Sequence, residues 1–205
     1  MTDTLTFLQK QFTFVLLSQS PRRKQLLTDA GLSFTIRPAD VDETIRDRHV
    51  KKDILVVTKN KVDAHALLPR TIGIACDTVV VFGGKVYGKP KNKDEARMFL
   101  RTLSNRKHQV ISGLVVKVVG KKQIKYYQTI ETTDVFFRKL SSVEIEEYIA
   151  TKEPYDKAGA YGMQDLRRQF VKRVNGCYYN VVGLPMAALR GIFESIKGDY
   201  EHEFF

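Results

Sequence analysis

The residues best placed to do chemistry are cations gathered near the start of the chain and two carboxylates further along it. Between Phe14 and Leu27, a short apolar run, Phe14 to Leu17, leads into a helix announced by Ser20 as N-cap and Pro21 at the first helical position. Arg22 and Arg23 fall in the first turn, where the helix dipole favours acids over bases. An anion held between them would explain two cations at that end. Exposed backbone N–H groups, the hydroxyls of Ser18 and Ser20 and the two guanidiniums would together cradle a phosphate chain. The same spacing also suits an ordinary strand–loop–helix joint with solvated arginines.

Asp77 interrupts an apolar, β-branched run from Thr71 to Phe82. A buried carboxylate costs several kcal/mol unless it is paired, hydrogen-bonded or on a metal. Asp77 therefore calls for a lysine or a cation, unless Asp77-Thr78 is a bend that bulges the strand to the surface. Its place at the end of a strand favours a site. Glu43, in the acidic loop Ala39 to Thr44, is the natural second carboxylate, while Asp40 and Asp42 suit a solvated turn. Two acids and a set of cations point to a divalent ion bound to a polyphosphate, because magnesium takes few carboxylates and fills its shell with water and phosphate oxygens. Lys89 stands between Gly88 and Pro90, which would let a ligand approach and fix the chain direction, though a plain turn lysine is the alternative. Gln164, in the glycine-rich stretch from Asp156, could read a base edge through its amide. Tyr161 in that stretch suits packing that buttresses the loop.

The elements that must position these groups follow from periodicity. The spacing predicts strands over Phe12–Leu17, Ser33–Arg37, Thr71–Phe82 and Leu166–Val174, and a long hairpin of His108–Val119 and Gln123–Phe137 turned at Gly120. Val110 to Val119 is apolar on both faces and reads as an interior strand. Helices are predicted over Pro21–Ala30, Val50–Leu68, Asp94–Leu103, Ser141–Ala150 with Ser142 as its cap, and Pro185–Lys197. Cys177 to Val182 is a further apolar run. In the stripe Val50, Ile54, Val57, Ala64, Leu68, the vacant inward slot is filled by Lys61, which either snorkels to the edge or reaches into a cleft. The first eleven residues read as a loose or weakly helical lead-in, and 198–205 as a loose end, of a single domain spanning 1–205.

Composition narrows the classes. At 43 % apolar residues a chain of 205 can fill a sizeable core. No apolar run is long enough to span a bilayer, and the first residues lack a signal or transit pattern, so a cytoplasmic protein is expected. Cys76 and Cys177 make neither a disulfide framework nor a zinc cluster, and the four histidines show no ligand spacing. The formal charge, 34 − 23 = +11, favours an anionic partner without naming it.

Taken in order, Ser18-x-Ser-Pro-Arg-Arg, the Asp42-Glu43 loop, Lys61, Asp77-Thr-Val-Val, Gly88-Lys-Pro, Asp156-Lys-Ala-Gly-Ala-Tyr-Gly-x-Gln and Val182-Gly-Leu-Pro resemble the Maf (septum-formation) family of nucleoside triphosphate pyrophosphatases from about Phe14 to Ile196. The resemblance implies an α/β fold similar to that of the inosine triphosphate pyrophosphatases, with a long twisted mixed sheet flanked by helices and two lobes around a cleft. It implies hydrolysis of a nucleoside triphosphate to the monophosphate and pyrophosphate with Mg²⁺ or Mn²⁺, and a homodimer. Asp77 would be the catalytic carboxylate. Ser18, Ser20, Arg22, Arg23, Lys61 and Lys89 would bind the substrate's phosphates, and Glu43 with Asp77 would hold the metal. Arg22, Thr78 and Gln164 match the branch acting on dTTP and UTP rather than the branch acting on 7-methyl-GTP. The chain departs from the family pattern at Cys76, where alanine is usual, and at Asp165, where glycine is common.

Two readings from other classes stand beside this one. A nucleic-acid-binding protein would suit the charge, but Asp77 and Glu43 would repel phosphates without a metal. A non-catalytic interaction protein affecting division would have no need of the retained carboxylates and lysines.

Overall fold

Seven strands form one mixed sheet in the computed structural model, which describes residues 2–163 and 170–201. The strands are β1 (Thr13–Leu16), β2 (Thr35–Ile36), β3 (Thr71–Phe82), β4 (Lys85–Tyr87), β5 (Lys107–Val119), β6 (Ile124–Phe137) and β7 (Val171–Asn175). Their spatial order is β2-β1-β3-β5-β6-β7, with β4 also on β3. The helices are α1 (Thr2–Gln11), α2 (Pro21–Asp29), α3 (Val50–Asp63), α4 (Lys93–Leu103), α5 (Ser142–Ile149), α6 (Tyr178–Val182) and α7 (Met186–Glu201). The expected α/β class with a long mixed sheet flanked by helices is what the chain adopts.

The pairing of β3 decides the architecture. One of its edges is paired with β5 from Thr71 to Val81. The other edge is shared by two short strands. β1 lies parallel to Thr71–Ile74, and β4 lies antiparallel to Val80–Phe82. Between them neither strand reaches residues 75–79, so the edge of β3 is open around Asp77 and Thr78.

Strand alternation then sends neighbouring side chains to opposite faces. On one face, Ala75 and Val79 pack under α3, with Val115 and Ile111 of β5 beside them. On the other face two larger cores form. One joins Ile72, Ile74 and Cys76 to α1, α2 and α7; the other joins Val80 to α4, α5 and Tyr161. The space between these two cores is the cleft, and the open edge of β3 is its floor. The two lobes are thus a consequence of one long strand serving two partners in succession.

The β5–β6 hairpin, the interior position of β5, the helix opened by Pro21 and the helix expected over Asp94–Leu103, which starts one residue earlier at Lys93 under an Asn92 cap, match the sequence reading. Several boundaries differ. The first residues are not loose. α1 buries Leu5 and Leu8 and packs on α7, so its apolar spacing is satisfied by a helix from the far end of the chain. Nor does the chain fray at 198. α7 continues to Glu201 because Tyr200 is fully buried, edge-on to Phe12 at 5.4 Å. α3 ends at Asp63 rather than Leu68. The chain leaves the helix so that Leu67 can seat over the bare Cα of Gly73, and Leu68 is exposed. The run from Cys177 is the helix α6, whose buried Asn180 donates to Val110 O and Thr133 Oγ1, both at 3.1 Å. The cap of α5 is Ser141, in a reciprocal capping box with Glu144, rather than Ser142. Of the strand expected over 166–174, residues 166–169 lie outside the described residues, Phe170 precedes the strand, and the rest belongs to β7.

Candidate active site

The open edge of β3 carries Asp77, the expected catalytic carboxylate, and Thr78, expected to help select the substrate, one on each face. Asp77 faces α3. There Lys61 Nζ lies 2.5 Å from Asp77 Oδ1 and 2.6 Å from Glu43 Oε1. Lys61 thus reaches into the cleft rather than snorkelling, and it is 5 % exposed. Thr58, one turn earlier on α3, donates its hydroxyl to Ile54 O at 2.6 Å, with Asp77 Oδ2 a longer 3.4 Å away. What lets α3 come this close is Gly113, which pairs directly with Asp77 across β3 and β5. A Cβ there would stand 3.1 Å from Ile54 O and 3.2 Å from Thr58 Oγ1.

Thr78 faces the other way, toward α2. Its hydroxyl is 2.8 Å from Ser112 Oγ and receives Arg23 Nη2 at 3.3 Å. Arg23 also donates through Nη1 to Ser18 Oγ at 2.9 Å and through Nε to Gly183 O at 2.8 Å. Ser20 caps α2 by accepting from Arg23 N. The positive end of α2 and the Arg23 guanidinium are thereby held against the open edge. Arg22 turns elsewhere. It donates from Nη1 to Asp156 Oδ2 at 2.7 Å and from Nη2 to Asp156 O at 3.1 Å, across the cleft from its own helix.

Ser18, Ser20, Arg22, Arg23, Glu43, Lys61, Asp77, Thr78 and Asp156 line one cleft of about 1830 Å³, together with Gly88, Lys89 and Tyr161, while Thr58, Ser112 and Gly113 stand behind its wall. Its electrostatics are shared. Burial alone would raise the Glu43 carboxyl, but the Lys61 bond and the fields of Lys61, Lys89 and Arg23 outweigh it and hold the carboxyl below its ordinary value. Glu43 therefore stays ionised, as a ligand for a cation must.

The donor set can be tested against a divalent ion. Glu43 and Asp77 are hard oxygen donors close enough to contact one and the same ammonium, and among the described residues no group of three or more His, Cys, Asp and Glu gathers, here or elsewhere. Two carboxylates with room for phosphate and water suit Mg²⁺ or Mn²⁺, whereas a structural zinc would need four protein ligands.

Of the residues singled out in the sequence, Ser18, Ser20, Arg22, Arg23, Glu43, Lys61, Asp77, Thr78 and Lys89 all line this cleft. Gln164 and Asp165 lie outside the described residues. Tyr161 is buried and buttresses its loop, as packing suggested. Sequence reasoning did not single out Thr58, Ser112, Gly113, His108 or the partnership of Arg22 with Asp156. A glycine inside the apolar β5 run was the available signal for close backbone approach. The others have no local signature.

No described helix is long and apolar enough to cross a membrane. Residues 13–196 match the family model described as Maf-like protein. A Thermoanaerobacter sp. protein is 40 % identical over 189 residues, 91 % of this chain and 96 % of its own. Relatives from Carboxydothermus hydrogenoformans, 41 % identical over 85 % of this chain and 93 % of theirs, and Bacillus pumilus, 40 % over 88 % and 95 %, are similar. All three carry the name dTTP/UTP pyrophosphatase. The solved structure of a HAM1 protein from Coxiella burnetii covers 91 % of this chain and 99 % of that one with a TM-score of 0.50 at 12 % identity. That likeness is one of fold and agrees with the expected architecture. By a match across nearly its whole length, and by relatives of this closeness, the chain belongs to the Maf family.

Proposed function

We propose that this protein is a nucleoside triphosphate pyrophosphatase acting on dTTP and UTP. The observation that carries the reading is the open edge of β3, where Asp77 and Glu43 share Lys61 on one face while Arg23 and the head of α2 stand on the other. A polyphosphate laid across that edge meets cations from α2, α3 and the Gly88–Pro90 turn within one cleft. The substrate class rests on the relatives' name and on Arg22 and Thr78, which match the dTTP and UTP branch.

In the proposed reaction a water oxygen attacks the α-phosphorus, the bond from that phosphorus to the α–β bridging oxygen breaks, and pyrophosphate leaves with the bond's electron pair. Asp77 orients the water and takes its proton. Oδ1 is held by Lys61, which leaves Oδ2, with its long Thr58 contact, as the oxygen for that task. Lys61 holds both carboxylates in place through its contacts with Asp77 Oδ1 and Glu43 Oε1. Arg23, Lys89 and the α2 backbone neutralise charge growing on the leaving group, an electrostatic contribution that is large in a partly dried cleft. A divalent cation held by Glu43 and Asp77 would add charge stabilisation on the phosphate oxygens.

The test is the purified protein against a panel of canonical and modified triphosphates with Mg²⁺ or Mn²⁺, reading monophosphate and pyrophosphate. Release of pyrophosphate from dTTP and UTP ahead of purine triphosphates, lost with a chelator and weakened at limiting metal by Glu43→Gln, supports the reading. Release of inorganic phosphate alone, or no turnover of any nucleotide, sinks it.

A further inference from the structure

Gly159 and Ala160 occupy the left-handed backbone region one after the other, with φ of 70° and 63°. Glycine accepts that conformation freely; alanine does not. Strain of this kind persists only where the surroundings over-determine it. The bend is pressed against the open-edge strand, since a Cβ on Gly159 would stand 2.7 Å from Val80 Cγ2. It also hands on its position at both ends. Gly159 N–H donates to Gly88 O at 3.0 Å, next to Lys89. Asp156, three residues earlier, receives Arg22 from α2.

What pins the bend is the next residue. The Tyr161 hydroxyl lies 2.8 Å from His108 Nε2 on β5. Both side chains are buried, and Phe137 stands edge-on to each, at 4.8 Å from His108 and 4.7 Å from Tyr161. His108 Nδ1 has no hydrogen-bond partner among the described residues, so Tyr161 is the polar anchor of an imidazole otherwise set among aromatic rings. A phenylalanine would fill that place without a desolvation cost, so the imidazole is there for the bond. Burial lowers the pKa of His108 to about 4 and keeps the ring neutral.

We propose that His108 is a positioning residue: by its hydrogen bond to Tyr161 it locks the strained bend at 158–161, and through that bend it sets the Gly88–Lys89 turn and the Asp156–Arg22 contact that line the cleft. Tyr161 lines the cleft and His108 does not, so His108 acts through its neighbour. Lys61, Asp77 and Glu43 are held by other elements, and the lock governs grip on the triphosphate rather than the hydrolytic step. The kinetic part of this inference rests on the pyrophosphatase reading; the structural part does not.

The experiment compares Tyr161→Phe, His108→Leu, their double variant and His108→Gln, whose amide can still meet the tyrosine hydroxyl. Tyr161→Phe is expected to raise KM for dTTP about tenfold with kcat within about twofold of the parent. In the same variant the Gly159 amide, followed by hydrogen exchange in the nucleotide-free protein, is expected to exchange about tenfold faster. The double variant is expected to be no worse than His108→Leu, and His108→Gln to recover part of the loss. An unchanged Gly159 exchange rate, a fall in kcat at constant KM, or additive losses in the double variant would overturn the proposal. Tyr161→Phe keeps the buried ring, so a poorly folding His108→Leu leaves the decision to it. A parent protein inert toward every triphosphate defeats the pyrophosphatase reading alone, and the exchange rate then decides the lock by itself.

Discussion

Arg22 and Asp156, 134 residues apart in the chain, are joined by two hydrogen bonds across the mouth of the cleft. The pair ties α2 to the glycine-rich loop and so spans the two lobes. Arg22 is therefore placed to hold the lobes at a fixed separation as well as to meet an anion. Arg22→Ala is expected to raise KM for dTTP by roughly tenfold while costing at most about 1 kcal/mol of stability, since the pair is partly exposed. Steady-state kinetics and urea unfolding on the same preparation check both halves. An unaltered KM would mean that the contact is incidental to binding.

Asp77→Asn keeps the size of the side chain and removes its charge. Turnover is expected to fall on the order of a thousandfold, as for loss of a general base, while a non-hydrolysable triphosphate analogue still binds. Arg23, Lys89 and the head of α2 do not depend on Asp77, which is why binding persists. Turnover at the parent rate would remove Asp77 from its assigned role.

Gly113 is expected to matter although it touches no substrate. A Cβ there would press on the backbone of α3 at Ile54 and on Thr58, and backbone cannot move aside cheaply. Gly113→Ala is expected to cost about 1–3 kcal/mol and to displace Lys61 from Asp77, lowering kcat more than a surface substitution of equal stability cost. Thermal unfolding and kcat measured side by side test this. A destabilised variant with parental kcat would show that α3 shifts without carrying Lys61 away.

His108 makes stability depend on mildly acidic pH. In the fold it stays neutral until about pH 4, whereas in the unfolded chain it takes up a proton near 6.5. Its contribution is full above 6.5 and is lost as pH falls toward 4, because there the unfolded state binds the extra proton. Over that window the loss amounts to roughly 3–4 kcal/mol at most, at about 1.4 kcal/mol per unit. Urea unfolding of the parent and of His108→Gln between pH 7 and pH 4.5 is expected to give a flatter curve for the variant. Parallel curves would show that other groups carry the acid sensitivity.

Much of this was legible along the chain because local physics wrote it there. Ser20-Pro21 marks the head of α2, since a cap and a proline at the first helical position act on neighbours within one turn. Asp77 stood out because an acid in a β-branched run needs a partner, and Lys61 because a cation filled the vacant slot of an apolar stripe. Their meeting at 2.5 Å is what those two local anomalies required of each other. The first eleven residues read only as loose or weakly helical, and their firm packing was missed, for a matching reason. The partner of α1 is α7, nearly the length of the chain away, and no local pattern announces it.

The amino-acid sequence by itself determined which residues carry charge, where helices such as α2 and α3 begin, and which cations and acids were candidates for one chemistry. Only the tertiary structure decided that β1 and β4 share one edge of β3 and leave residues 75–79 open between them, and that Arg22 answers to Asp156 while Arg23 answers to Thr78. Strand pairing and side-chain partners over such distances depend on loop closure and packing of the whole chain, which no window of sequence contains.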